Sequence, residues 1–453
     1  MYKYSTNGKK PFFIAAVLSL AILLLNPNHL KAQERSNETY RLSLSEVITF
    51  AKSQNKLVLA ANVEETAVAE DRKDSYRNAL PTVYLNGSYQ RFSKLTLFTG
   101  GLSHTVSGAR KPSANGAALG IDALFNVYSG GKQRALEKEA DLRLSLAGVA
   151  KREQAGSVAL KTAKQYLDLI RLIDLHRFIL DQLKRADTRL KNINSLYKNH
   201  KITKSDLLRA EVAMSNVELS LGQNENDISI ANQKLNVLIN IPASVIIVPA
   251  DSAGMQKPEI GSLMSLLGSD EVSSYVVQKA SSTIELQKAK VGAVKSGNLP
   301  NVGLYGAYGL NYPNYLFFPP VDQAYSIGFV GLKVQYSISS LYQSKNKVSA
   351  AKLRLKVLEM QKEAYVDDVR IEMESYYIKY AEALKRISVN EHSVEQAQVN
   401  FRIVNTKYLN QLSLLTDLLD ADNLYQESRF NLVSAQTDAM GIYYSMLFAS
   451  GSL

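Results

Sequence analysis

Four short stretches of this chain alternate apolar and polar residues with a period of two, and they come in pairs set between long stretches of helical period. In 82–92, Val83, Leu85, Gly87 and Tyr89 alternate with Tyr84, Asn86, Ser88 and Gln90. In 115–127, Ala117, Leu119, Ile121, Ala123, Phe125 and Val127 oppose Gly120, Asp122 and Asn126. A second pair follows at 301–310, with Val302, Leu304 and Tyr308 on one face, and at 325–337, with Val330, Leu332, Val334 and Tyr336 opposite Gly331, Lys333 and Gln335. Each pattern predicts a strand with one apolar and one mainly polar face. About ten residues is also the length a tilted strand needs to cross a bilayer. Half of a soluble sheet would show the same alternation, and periodicity does not separate the two.

The intervening segments have the other period. From 132 to 198 there is no proline, and Leu, Ile, Val and Ala recur every three or four residues, which predicts one helix roughly 100 Å long. The segment 343–410 reads likewise. Shorter helices are expected at 44–78, 203–238, 270–297 and 413–449. In each half the two shorter helices together match the long one, so they could stack end to end beside it. Their polar surfaces suit a wet bundle; a long coiled-coil stalk fits the same periodicity.

The order helix, strand, strand, long helix, helix occurs twice. "LPTVYLNGSY" at 80–89 matches "LPNVGLYGAY" at 299–308, an offset of 219. Tyr197, Asp206, Leu207, Leu208 and Ala210 match Tyr408, Asp417, Leu418, Leu419 and Ala421 at an offset of 211. Two copies of this size make a duplicated domain and not a solenoid. The reading divides the chain into 1–32, a first repeat over 33–240, a linking segment over 241–269 and a second repeat over 270–453. Four strands are too few to close a barrel, and open sheet edges are not tolerated in lipid. Either the sheet is soluble or several chains share one barrel.

Composition narrows the setting. The chain has 453 residues, 46% hydrophobic and 21% charged, as in an ordinary folded protein. Lys3, Lys9 and Lys10 precede an apolar run from Phe12 to Leu25 and a polar break, the layout of a secretory signal peptide cut after Ala32. The absence of cysteine excludes lipid attachment, disulfides and thiolate metal sites. The net charge of +11 is scattered among acids along helices, with no basic block interleaved with aromatics, so nucleic acid is not an expected partner.

Catalytic chemistry has little support. His29, His104, His176, His200 and His392 lie far apart and form no metal-ligand pattern. "SGGKQR" at 129–134 lacks the first glycine and the hydroxyl of a phosphate loop, and its glycines suit a bend from strand into helix. No enzyme activity, metal or cofactor is expected. If the strands span a membrane, the loops at 93–113 and 312–323 would face outside, the second being aromatic and proline-rich and suited to a lid, a lipid-interface anchor or aromatic packing at a barrel rim.

One motif is left over. "SDLLRA" at 205–210 and "TDLLDA" at 416–421 share a hydroxyl followed by Asp-Leu-Leu, but Asp420 stands where the first copy has Arg209. Asp417 and Asp420, three residues apart, share a helix face and could be a catalytic dyad, a metal half-site or a solvated helix start. Ser205 and Thr416 are expected N-caps, with Asp206 and Asp417 favoured in the first turn by the helix dipole. Asp420 is not needed for capping.

The repeated order, the "LP-x-V" entry to each hairpin, "LFNVYSGGKQRALEKEA" at 124–140 and "KYLNQLSLLTDLLDADNLYQESRFNLVSAQTDA" at 407–439 together resemble the TolC-type outer-membrane efflux channels, over essentially the whole chain after the signal. The resemblance implies a mainly α fold with β, as a homotrimer. The chains would pool their strands into one twelve-stranded outer-membrane barrel, continued by a periplasmic α-helical barrel. It implies a passive exit duct of a tripartite efflux or type I secretion system, working with a periplasmic adaptor and an inner-membrane transporter. Asp417 and Asp420 match the acidic rings that line the family's periplasmic constriction, where paired carboxylates favour cations. Tyr408 and Asp206 match its tip latch, and Ser413 stands where the family has an arginine, leaving the latch without its charge. The competing expectation is an exported periplasmic coiled-coil structural or adaptor protein with a soluble sheet.

Overall fold

The computed structural model describes residues 39–93, 101–102, 113–254, 257–261, 273–314, 316 and 321–453. The signal peptide and most of the first inter-strand loop lie outside these residues, as do 315 and 317–320 of the second. The elements are β1 (Thr39–Leu42), α1 (Leu44–Gln54), α2 (Lys56–Arg77), β2 (Thr82–Arg91), β3 (Asn115–Ser129), α3 (Lys132–Lys198), α4 (Lys204–Ile239), β4 (Ile246–Pro249), α5 (Tyr275–Ser296), β5 (Asn301–Tyr312), β6 (Tyr325–Gln335), α6 (Ser340–Gln343), α7 (Lys345–Leu409) and α8 (Leu415–Ala449).

The helices form a layered wall. On one side α3 packs against α2 and α4, on the other against α5 and α8; α7 then packs against α5 and α8. The shorter helices therefore sit in line beside the long ones, as their lengths predict. Burial follows the helical period: on α3, Gly156, Ala159, Ala163, Tyr166 and Ile170 are all covered, at steps of three and four. None of the described helices is long and apolar enough to cross a membrane.

Local chemistry shifts several expected boundaries. The helix expected over 44–78 is two, because Asn55 adopts an extended backbone, ends α1 and caps α2 by accepting from Leu57 N–H. The expected linker 241–269 contains β4, which pairs in parallel with β1. Asn232 and Asn236 hold its approach through their side-chain amides, both donating to Val245 O, at 2.7 and 2.8 Å. Tyr166, fully buried, clamps this junction: its hydroxyl lies 2.8 Å from Leu42 O and 3.0 Å from Asp251 Oδ2, and Leu44 N–H donates to the same carboxylate. Burial pushes the Tyr166 phenol well above the ordinary tyrosine range.

The larger sheet has the order β2-β3-β5-β6 and is antiparallel throughout. Val83, Ala123, Gly306 and Val330 form one row across it, and Leu85, Ile121, Tyr308 and Gly328 the next row on the same face. That face carries no charge among the described strand residues except Arg91 at the end of β2. The other face carries Asn86, Ser88, Asp122, Asn126, Asn311 and Lys333, with aromatic Tyr84 and Phe329 among them. Asn86 donates to the Asp122 carboxylate there. The alternation seen in four separate segments is thus one pattern in register as far as Asn126, beyond which a bulge skips Val127 and brings Tyr128 opposite Val302. The apolar face is uncovered, Leu85 being 73% and Val330 85% exposed. Gly130 and Gly131 turn the chain from β3 into α3 at φ of 63° and 81°. A Cβ on Gly130 would lie 2.5 Å from Ser296 O, so this bend admits no side chain.

Candidate functional site

At the end of the helical wall away from the sheet, the α3–α4 and α7–α8 turns meet. Ile193, Leu207, Ala210 and Leu415 are buried together, with Leu190, Tyr197, Ile202, Tyr408 and Leu419 packed around them. Both turns close in the same way: His200 and Gln411 adopt left-handed φ of 59° and 61°. The amides of Lys201 and Leu412 each donate to the carbonyl five residues back, at 2.9 and 2.8 Å. This is a Schellman closure built without glycine.

The helix starts differ from the expected caps. Thr203, not Ser205, caps α4; its hydroxyl accepts from Asp206 N–H at 3.2 Å, and the Asp206 carboxylate takes the Thr203 hydroxyl at 2.7 Å. Thr416 likewise lies inside α8. Leu414 occupies the cap position and offers no acceptor, so the start is held from the other direction. Asp417 Oδ2 accepts from Leu414 N–H and from the Ser413 hydroxyl, each at 3.0 Å. Scanning for a hydroxyl beside an acid misplaced the caps, because the acid acts here from the third helical position.

The candidate residues therefore separate. Asp417 and Asp420 lie on one exposed face of α8, about 60° apart around the axis. Asp417 is committed to its helix start; no hydrogen bond or ion pair engages Asp420 among the described residues. Tyr408 is half-buried in the tip core. Burial pushes its phenol up, as does the nearby Asp206 carboxylate, while Arg189 opposes them. Tyr408, Asp206 and Arg189 thus occupy one neighbourhood. Ser413 is bound to Asp417 and brings no charge.

Asp422 was not singled out in the sequence and is the tip's most completely buried acid, its side chain 2% exposed. Arg185 Nε donates to Oδ1 at 3.0 Å, and Arg189 Nη2 lies 2.6 Å from Oδ2. The Arg185 guanidinium also stands 5.5 Å from the Phe401 ring and 5.9 Å from the Tyr425 ring, which stack 6.1 Å apart. A helical projection holds the missed signal, since Asp422 lies about 200° around α8 from Asp420.

No family model and no curated protein matches this sequence. Solved structures do match its architecture. The outer-membrane channel OprN superposes with a TM-score of 0.75 at 16% identity, over 90% of this chain and 90% of that chain. The outer membrane protein VceC of Vibrio cholerae gives 0.74 at 18% identity, over 90% and 96%. The chain has the TolC-type channel fold. The open state of the Neisseria gonorrhoeae MtrE outer membrane channel shares it at 0.70 and 17% identity, over 90% of this chain and 89% of that one. Within this TolC-type fold the tip described above is the free end of the helical wall, and the uncovered sheet lies at its opposite end.

Proposed function

We propose that this protein is the outer-membrane exit duct of a tripartite efflux or secretion system, formed as a homotrimer. The observation that carries the reading is the four-stranded sheet. It has one uncovered face without charge apart from Arg91 at the end of β2, one polar face, and edge strands β2 and β6 that pair with nothing else among the described residues. Such a sheet is too small to close alone and too apolar to stand in water, whereas three copies would make a twelve-stranded barrel with lipid outside and a polar lumen inside. The helical walls would continue that barrel into the periplasm, after removal of the signal peptide at 1–32. The matching tip turns support reading 33–240 and 270–453 as two copies of one unit joined through 241–269.

In this duct the wall supplies no energy. An inner-membrane transporter would drive export, and a periplasmic adaptor would engage the helical end. Three copies each of Asp417 and Asp420 would face the narrow tip and favour cations. Tyr408 and Asp206 would hold neighbouring turns together, with Ser413 contributing through Asp417 alone. The test is to fractionate cells, isolate the protein from outer membrane in detergent, size it and record its conductance in planar bilayers. A trimer with discrete conductance is expected. Recovery as a soluble, non-conducting monomer or dimer would overturn the duct in favour of an exported coiled-coil protein.

A further inference from the structure

The Asp422 cluster joins three helices at one level. Arg185 and Arg189 come from α3, Asp422 and Tyr425 from α8, and Phe401 from α7. At 1.5 Å per residue, Arg189, Phe401 and Asp422 all lie on the order of 10–14 Å from the ends of their helices at the tip. One turn and more further up, Arg429 of α8 repeats the contact: its guanidinium sits 3.8 Å from the Phe178 ring and 3.2 Å from Asp181, both on α3.

The angular relationship gives the cluster its consequence. Asp417 and Asp420 share one face of α8, and Asp422 occupies the opposite side. A carboxylate held from two directions fixes the rotation of its helix as well as its distance from α3. Turning α8 far enough to swing Asp420 away from its present face would pull Asp422 out from between its arginines. A buried ion pair resists this because separation leaves charges without partners. Arg189 also acts electrostatically on Tyr408 near the tip end of α7, so the guanidinium that pairs with Asp422 is felt beside the α7–α8 turn.

We propose that Asp422, gripped by Arg185 and Arg189, is the positioning residue of the tip: it sets the rotation and inward reach of α8 that aim Asp417 and Asp420 into the pore. The inference rests on the channel reading above. Without the grip, α8 turns and moves outward, the constriction widens and the two carboxylates disperse. The cluster acts within one protomer, unlike a latch between neighbours.

The experiment compares wild type with Asp422→Asn, which keeps the volume and removes the charge, and with Arg189→Gln and Arg189→Lys. Purified trimers are recorded in planar bilayers for resting conductance and for the cation-to-anion permeability ratio. Asp422→Asn and Arg189→Gln should raise resting conductance several-fold and lower the cation preference, while Arg189→Lys, which retains a charge for its single contact, should behave as wild type. If Asp422→Asn fails to assemble, the two Arg189 variants decide. Assembled variants with unchanged conductance and selectivity, or a lysine variant indistinguishable from the glutamine one, would overturn the proposal. A wild-type trimer that conducts nothing would instead sink the duct reading itself.

Discussion

Ser413 donates its hydroxyl hydrogen to Oδ2 of Asp417 at 3.0 Å, within the chain's own helix start. The second of the two neighbouring acids has no such duty, so Asp417 and Asp420 should respond differently to removal. Asp417→Ala should weaken the start of α8 by about 1 kcal/mol, the usual size of a lost cap. Asp420→Ala should leave thermal stability unchanged. Both changes together should reduce cation selectivity and block by multivalent cations without loss of the trimer. Thermal unfolding and reversal potentials across a salt gradient measure the two effects, and unchanged selectivity in the double variant would leave Asp417 a helix cap and Asp420 a solvated surface acid.

Asp206 raises the same question in the first half of the chain. Its carboxylate is engaged by the hydroxyl of Thr203, and Tyr408 feels it at longer range. Thr203→Ala should therefore cost about 1 kcal/mol locally, as a lost N-cap does. If capping is the whole role of Asp206, then Asp206→Ala and Thr203→Ala will match in both unfolding temperature and conductance. A role in the latch predicts that only Asp206→Ala, and with it Tyr408→Phe, raises the resting conductance.

The two faces of the sheet make a sharper test of where the strands sit. Val330 lies on the uncharged face and Ser88 on the polar one. An arginine facing lipid near the bilayer midplane costs about 2–4 kcal/mol, whereas one facing an aqueous lumen costs little. Val330→Arg should reduce the amount of assembled trimer in outer-membrane fractions, and Ser88→Arg should assemble normally. Equal assembly of both variants would contradict a lipid-facing surface at Val330.

The strands were legible because each alternates over many residues, and the register then adds the four patterns into one face. The long helices were legible for the same reason at the other period. What escaped was short or depended on a partner distant in sequence. β1 and β4 have four residues each and pair across two hundred positions, held by Asn232, Asn236 and Tyr166, which sit inside helices. The break at Asn55 is a cap placed inside an unbroken periodic run. Asp422 was hidden by its neighbours: the motif comparison picked out Asp417 and Asp420, and Asp422, two residues further on, turns to the arginines of α3 on the other side of the helix.

Asp174 gives a prediction in pH. Its side chain is 13% exposed, and burial pushes its carboxyl above the ordinary aspartate value of 3.8, against the opposing pull of Arg177 at 3.1 Å and a hydrogen bond from the Ala253 backbone. The fold therefore binds this proton more tightly than the unfolded chain does. Its contribution to stability is fully present below the unfolded value and is lost as pH rises through the higher folded value. Asp174→Asn imitates the protonated form at every pH and keeps an acceptor for the Ala253 amide. The variant should unfold at a higher temperature than wild type at pH 7, and the gap should close as pH falls toward 3.8. Thermal unfolding of both proteins across that range measures it; a variant less stable at pH 7 would mean that the Arg177 ion pair outweighs the cost of burial.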